Sequence, residues 1–143
     1  MVVFSGEHEH VLDDKGRVVI PAMYRAALDD GVFVTRGMDE CIWVFPAATW
    51  RTISSRLRQT RTFATRSRIR DRLLFPGSDI TVDKQGRLAI AAPFRSHAGL
   101  TENGPVMVVG VNNRLELWNR DRWMKQARVN AKELELAMEE VDL

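Results

Sequence analysis

The sequence has a single cysteine, no long apolar run and almost no net charge. The first two shortages each exclude a class of protein. Cys41 is the one cysteine among 143 residues, which excludes an internal disulfide framework and a cysteine-cluster zinc site. The N-terminal stretch MVVFSGEHEH has neither the basic start nor the apolar core of a signal peptide. No segment approaches the roughly 18 apolar residues of a membrane span. We therefore expect a cytoplasmic protein without a membrane partner.

The charge is small in total but unevenly distributed. A net charge of +2 does not by itself indicate a nucleic-acid partner. The segment from Arg51 to Arg72 has eight arginines and one aspartate, for a net charge of +7, whereas Lys132 to Leu143 has five acids and one lysine, for −4. Such runs are usually solvated helix faces. The alternative is that the two segments meet between neighbouring subunits, with the charges setting their orientation.

One pattern occurs twice in the chain. DDKGRVVIPAMYR begins at Asp13, and VDKQGRLAIAAPFR, which begins at Val82, repeats most of it at an offset of 70 residues. The matched pairs are Asp13 and Asp83, Gly16 and Gly86, Arg17 and Arg87, Ile20 and Ile90, Tyr24 and Phe94, and Arg25 and Arg95. The segments that follow, VFVTRGMDECIWVF and VMVVGVNNRLELW, match at an offset of 73. The chain is therefore an internal duplication.

Each copy predicts the same order of elements. In the first copy, β-branched segments at 10–12 and 18–20 flank a glycine-containing turn and predict a β-hairpin. A short helix begins at Pro21, where the missing N–H does no harm. Segments 32–35 and 41–45 predict a second hairpin. The second copy repeats these strands at 80–82, 88–90, 106–109 and 115–118.

Helices are predicted after each copy. The first has Trp50, Ile53 and Leu57 on one face, and the Arg-rich stretch up to Phe75 predicts another, with Ile69 and Leu73 facing inward. The apolar residues that predict a C-terminal helix are Trp123, Ala127, Leu134, Met138 and Val141.

The fold class follows from the size of each copy. Four strands and one helical turn in about forty residues cannot bury a self-sufficient core, but two such units can share one. The sequence therefore predicts an α+β, β-rich fold in which two half-domains interlock as a pseudo-dimer. The expected divisions are a half-domain at 7–50, an Arg-rich helical linker at 51–75, a second half-domain at 77–123 and an amphipathic helix at 124–143.

The first turn carries the residues best suited to bind DNA. Lys15 and Arg17 flank Gly16 at a hairpin tip. Lysine offers a point charge to phosphates, and arginine can form a bidentate pair with guanine O6 and N7 in the major groove. Arg25, on the following helix, is a candidate for a phosphate contact. The alternative, equally open, is that Asp13 and Arg17 merely pair across the turn and that Arg25 is a surface arginine.

The pattern D-x-K-G-R-V-V-I-P-x-x-x-R resembles the DNA-contacting half-domain of AbrB-type, swapped-hairpin transcription factors. Two tandem copies joined by an Arg-rich linker resemble the MraZ family over nearly the whole chain. The resemblance implies a swapped-hairpin, double-psi type of barrel. It also implies a cytoplasmic, nucleoid-associated repressor of its own division and cell wall gene cluster. Such proteins bind short G-containing direct repeats of double-stranded promoter DNA as ring-shaped homo-oligomers.

The resemblance also implies site residues. The DNA contacts carry over to Lys15, Gly16 and Arg17, with Arg25 as a further candidate. The family D-x-x-x-R motif falls on Asp13 and Arg17, and again on Asp83 and Arg87. The second copy departs from the pattern, because Gln85 stands where Lys15 was, Ala91 replaces Pro21, and Pro93 enters the next turn. We therefore expect a lower local positive charge there, and a smaller contribution of Arg87 to DNA binding.

Other patterns give weaker hypotheses. His8 and His10 share a strand face but lack a third ligand nearby, so a metal site is disfavoured. Cys41, Tyr24 and Phe94 are best explained as packing residues. No nucleophile arrangement or phosphate loop is evident, so we expect no catalysis, no cofactor and no small-molecule ligand. The function that competes with sequence-specific regulation is a structural or interaction oligomer that binds nucleic acid only loosely.

Overall fold

The computed structural model describes residues 2–60, 63–126, 128 and 131–142. The strands are β1 (Glu7–Val11), β2 (Arg17–Val19), β3 (Val32–Arg36), β4 (Ile42–Pro46), β5 (Ser78–Ile80), β6 (Arg87–Ala89), β7 (Pro105–Val111) and β8 (Arg114–Asn119). The α-helices are α1 (Ala22–Arg25), α2 (Ala47–Arg58), α3 (Thr65–Leu74), α4 (Ala92–Ala98), α5 (Arg120–Gln126) and α6 (Ala131–Met138). Short 3₁₀ segments span Ala26–Leu28 and Met38–Glu40. Within the described residues, every helix is too short or too polar to cross a bilayer.

The strands form one large and one small antiparallel sheet. The large sheet has six strands in the order β1-β7-β8-β4-β3-β5, and the small one pairs β2 with β6. Equivalent strands of the two copies, β4 and β8, meet at the centre of the large sheet. An approximate two-fold axis therefore passes between them and relates the two copies. This arrangement confirms the predicted α+β pseudo-dimer.

The edge strands are exchanged between the copies. β1 of the first copy pairs with β7 of the second, and β5 of the second pairs with β3 of the first. The predicted hairpins of 10–12 with 18–20, and of 80–82 with 88–90, are therefore wrong. The turn is closed locally, because the Asp13 N–H donates to Arg17 O at 2.8 Å. Beyond that bond β2 pairs with β6, and the fully buried Val18 and Leu88 face each other in the ladder. The second hairpin of each copy, β3 with β4 and β7 with β8, is confirmed.

The copies share one hydrophobic core. Its fully buried members come from both, with Leu12, Val18 and Ile20 from the first and Leu88, Leu115 and Leu117 from the second. Tyr24 and Phe94, at equivalent positions, are 3% and 4% exposed and belong to this core, which confirms their packing role. An apolar core built from both copies explains why neither is expected to fold alone.

Two smaller clusters cover the outer face of the large sheet. The Trp50 ring stacks on Phe33 with centroids 4.0 Å apart, and Ile53 and Leu57 of α2 pack beside them, as predicted. Cys41 is fully buried with Met107 and Trp118. Burial raises the pKa of the Cys41 thiol well above its ordinary value, so the residue packs as a small apolar side chain.

Two helix predictions need correction. The Arg-rich stretch does form α3, but Ile69 and Leu73 are 54% and 48% exposed, and Ser67 and Leu74 face inward instead. The C-terminal stretch forms two helices, α5 and α6, where one was predicted. Ala127 lies outside the described residues, and Val141 lies beyond the end of α6.

The shared core predicts that one substitution in the small sheet weakens the whole chain. Leu88→Ala removes a fully buried side chain from the contact between the copies, so we expect a loss of about 2–5 kcal/mol in the free energy of unfolding. Urea denaturation followed by fluorescence and by circular dichroism should give coincident, single transitions. Val19→Ala is the matched control, since Val19 is on the outer face of the same ladder and should cost no more than about 0.5 kcal/mol. Separate transitions would contradict the shared core.

Candidate nucleic-acid interface

Each D-x-x-x-R motif forms a turn held by its aspartate. Oδ1 of Asp13 accepts hydrogen bonds from the backbone N–H of Lys15 at 2.9 Å and of Arg17 at 2.8 Å. Oδ2 accepts from Arg17 Nε at 2.8 Å. Asp83 repeats these bonds with Gln85 and Arg87 at 2.9, 2.8 and 2.8 Å. The two turns therefore have the same geometry.

The aspartates hold the arginines in place more than they stabilise the fold. The hydrogen bond from the Arg17 backbone N–H, followed by the bond from its side chain, lowers the pKa of the Asp13 carboxyl. The side chains of Arg17 and Asp13 are 26% and 33% exposed, and ion pairs this exposed contribute little to stability. A carboxyl with a lowered pKa stabilises the turn above its ordinary pKa, and this effect is lost as the pH falls through the lowered value. The ion pair is thus intact at neutral pH.

Each glycine carries an arginine of the other copy over its backbone. Gly16 and Gly86 have φ of +75° and +78°, a region that L side chains rarely adopt. A Cβ atom on Gly16 would lie 2.2 Å from Arg95 Nη1, and one on Gly86 would lie 2.3 Å from Arg25 Cζ. Both turns therefore need glycine for its backbone conformation and for this close approach.

Arg25 consequently lies on the turn of the second copy and not on the turn of its own copy. It packs on Gly86 of the second copy, and its Nε donates to Ile20 O at 2.8 Å. Arg95 takes the equivalent position on the first turn. Sequence reasoning did not select Arg95 as a site residue, although its match to Arg25 at an offset of 70 was a usable signal.

The small sheet brings the two turns onto one surface. Arg17 pairs with Ala89 and Val19 with Arg87, on either side of the buried pair of Val18 and Leu88. Because side chains alternate along a strand, both arginines project from the outer face of this ribbon. Arg17 and Arg87 are offset by two residues along the strands and lie on neighbouring strands, so their Cα atoms are roughly 8 Å apart. Each copy thus contributes one guanidinium to a single exposed face.

The second turn is slightly more basic than the first. Gln85 replaces Lys15, but Lys84 stands where the first turn has Asp14, and Lys15 and Lys84 are both exposed. Residues 13–17 therefore carry a net charge of zero, whereas residues 83–87 carry +1. The expected fall in local charge is wrong. The smaller contribution of Arg87 that was expected from the sequence loses this support.

The histidines lie in β1 and in α4. The His8 ring meets the Tyr24 ring edge-on, with centroids 5.6 Å apart. Burial, followed by the charges of His8 and Arg25, lowers the pKa of His10. His97 lies in the last turn of α4 before Gly99, whose φ of +64° ends the helix. Among the described residues, no three His, Cys, Asp or Glu side chains are grouped to hold a metal ion.

Comparison with known proteins matches both copies to one family model, described as "MraZ protein, putative antitoxin-like", at residues 3–73 and 73–141. The chain belongs to the MraZ family. Relatives named "Transcriptional regulator MraZ" are 40% identical over 140 residues in Saccharopolyspora erythraea, covering 97% of this chain and 96% of that protein. The relative of the same name in Halothermothrix orenii is 34% identical over 145 residues, covering 99% of this chain and 100% of that protein. The relative in Thermus thermophilus is 41% identical over 121 residues, covering 84% of each protein.

The two stretches matched to the MraZ family are the two interlocked copies. Each supplies one D-x-x-x-R turn, and each turn is completed by an arginine from the other stretch. A single repeat therefore lacks part of the surface around its own turn.

The role of Asp13 predicts whether DNA affinity falls or rises when its negative charge is removed. Asp13→Asn keeps an oxygen for the two backbone N–H groups but loses the ion pair to Arg17 Nε. If Asp13 positions Arg17, specific DNA binding weakens even though a negative charge has been removed. Affinity is measured by fluorescence anisotropy at fixed salt, on DNA from upstream of the protein's own gene. Asp14→Asn, at the exposed neighbour, controls for the charge. A rise in affinity for both variants would show that Asp13 acts only by repulsion.

Proposed function

We propose that this MraZ-family protein is a sequence-specific, DNA-binding transcriptional regulator that reads double-stranded promoter DNA with the β2–β6 ribbon and its two turns. It represses its own division and cell wall gene cluster from the cytoplasm, where it associates with the nucleoid. It binds tandem repeats as a ring-shaped homo-oligomer. Transcriptional regulation is the function carried by the names of the relatives.

The observation that carries the proposal is the common outer face of Arg17 and Arg87. A major groove about 12 Å wide admits a two-stranded ribbon, and arginine is the commonest reader of guanine. Nε of each arginine is held by its aspartate at 2.8 Å. In the described chain, no residue accepts a hydrogen bond from the terminal Nη groups of Arg17, which leaves them for a base edge. The Cα atoms of the two arginines, roughly 8 Å apart, are separated by about two base-pair steps of 3.4 Å.

The surrounding cations are suited to the DNA backbone. Lys15 and Lys84 are exposed at the turn tips, and Arg25 and Arg95 lie half-buried on the glycines. Phosphate contacts fix register and orientation without reading sequence. We therefore assign base reading to Arg17 and Arg87, and phosphate contacts to Lys15, Lys84, Arg25 and Arg95.

The competing function is a structural oligomer with loose nucleic-acid binding. The observation that favours it is the exposed basic surface of α2 and α3, which includes Arg51, Arg56, Arg66 and Arg72. A surface of this kind would bind any DNA at low salt. The ratio of affinities for promoter and scrambled DNA, at one salt concentration, separates the two functions.

Removal of the guanidinium from the first turn tests base reading. Arg17→Ala should lose specific affinity by about 1–3 kcal/mol per engaged subunit and keep the circular dichroism of the fold. Gel shifts on the upstream DNA, with scrambled DNA as competitor, measure the loss. The equal geometry of the turns predicts a comparable loss for Arg87→Ala, whereas a much smaller loss would restore the asymmetry expected from the sequence. Specific affinity retained in both variants would refute the assignment.

Removal of the lysine tests a phosphate contact. Lys15→Ala should weaken binding to promoter and scrambled DNA alike, and lower the slope of log K against log salt by about one unit per engaged subunit. The matched control is Lys125→Ala, on the exposed side of α5 and far along the chain from either turn. Its slope should stay that of the parent. A loss confined to promoter DNA would make Lys15 a base contact.

A further inference from the structure

Helix α3 turns an apolar stripe toward solvent. Ile69 and Leu73 are 54% and 48% exposed, and together with Met38 they line a groove of about 510 Å³ between α3 and the 3₁₀ segment Met38–Glu40. Arg66 and Arg70 lie on the same side of α3, since residues three, four and seven apart share a helix face. We call this surface the α3 groove. It combines an apolar floor with a basic edge.

Helix α6 has the complementary surface. Leu134 and Met138, one turn apart, are 54% and 37% exposed, and Val141 follows at 49%. Glu133 and Glu135 flank this stripe on its two sides. Every described residue from Ala131 to Asp142 is exposed. The helix therefore presents an apolar stripe between acids, with nothing over it in this chain.

A helix this short needs a packing partner. Isolated helices below roughly 12–15 residues are marginal in water, and most helical stability in proteins comes from packing an amphipathic face. α6 has 8 residues and α3 has 10. At a rise of 1.5 Å per residue the two helices have similar lengths, about 12 and 15 Å, and each exposes two apolar residues one turn apart. The dimensions and the charges of the two surfaces therefore match.

We propose that α6 of one copy docks in the α3 groove of a second copy of this chain. The inference rests on the self-association part of the proposed function and is independent of its DNA-binding part. Leu134 and Met138 enter the groove beside Ile69 and Leu73, and the acids face Arg66. Arg70, on the same side of α3, is already paired with Asp71 at 3.1 Å. Asp39 and Glu40, on the opposite edge of the groove, repel the helix and so fix which of its sides meets α3. The contact is head to tail, so it builds a closed ring or a filament.

Docking within one chain is the competing arrangement. Arg122 of α5 lies 3.8 Å from Glu40 Oε2, which places the start of the C-terminal segment near the groove. With α5 anchored there, α6 still lies clear of its own chain. Docking between two copies keeps α5 in place and covers both the α3 groove and the apolar stripe of α6.

The first experiment compares particle masses by light scattering, without DNA. Leu134→Asp and Leu136→Asp are matched, because both leucines are 54% exposed but lie on opposite sides of α6. Leu134→Asp should raise the dissociation constant of the oligomer at least about tenfold and shift the mass toward the 16.3 kDa of one chain. Leu136→Asp should leave it unchanged. On α3, Arg66→Glu should act like Leu134→Asp, whereas Arg72→Glu, outside the groove, should not. A parent protein that is monomeric, or equal masses within a pair, would overturn the proposal.

A second measurement decides between one chain and two. Chains with Ile69→Cys alone are mixed with chains with Leu134→Cys alone, and Cys41, which is fully buried, stays unreactive. Oxidation should give a covalent pair in the mixture and far less in either chain by itself. In the doubly substituted chain, docking between copies gives a ladder of masses on a non-reducing gel, whereas a cross-linked single chain would refute it.

The DNA-binding part of the proposed function fails by a different result. Leu134→Asp, which leaves every cation in place, should keep the affinity of the parent for DNA with one binding repeat and lose affinity for tandem repeats. A parent that binds no DNA specifically would defeat the DNA-binding proposal and leave the mass comparison valid. Unchanged masses would defeat the docking and leave the turn variants interpretable.

Discussion

The antiparallel pairing of β2 with β6 is the interaction on which the rest of the molecule depends. It is only three residues long on each side. Bonds from Ile20 N to Gly86 O and from Ile90 N to Gly16 O, both 2.8 Å, extend it into the two turns. Its inner face supplies Val18 and Leu88 to the core, and its outer face carries Arg17 and Arg87. The contact that joins the copies and the candidate site are thus two faces of one ribbon.

The recurrence of aspartate, glycine and arginine in both copies has a mechanical explanation. The aspartate satisfies two backbone N–H groups and one guanidinium, and the glycine supplies a positive φ and a bare Cα surface. The arginine after the β2 or β6 strand then lies on the glycine of the other copy. Each turn is therefore completed by the opposite repeat, as expected for an ancestral dimer joined into one chain. Changing Gly16 or Gly86 would disturb an arginine that lies 79 or 61 residues away in the sequence.

The sequence predicted the features that local patterns specify, but it did not predict which strand or surface each segment packs against. The duplication, the order of elements and the shared core followed from the alignment of the two copies. The hairpin at Asp13–Arg17 did not, because turn residues favour a reversal of the chain without specifying the strand that the outgoing segment will pair with. The orientation of α3 failed for a similar reason. Ile69 and Leu73 have the periodicity of a buried face, but in a single chain Leu74 and Ser67 point inward. Arg95 was missed because the alignment was used for the fold and not for the site.

The proposed reading of DNA and the proposed docking of α6 support each other physically. Specific protein–DNA interfaces bury roughly 1,000–2,500 Å² of protein surface, and a ribbon of three-residue strands with two arginines is a small part of that. One chain alone should therefore discriminate weakly. Linking several such ribbons in one particle makes each later contact intramolecular, at an effective concentration set by the assembly. The net charge of +2 fits this division, because the acids of α6 are used against the arginines of α3 and the turns keep their cations for DNA. On this view the segregation of charge along the chain serves two separate contacts: self-association through α3 and α6, and nucleic-acid binding at the ribbon.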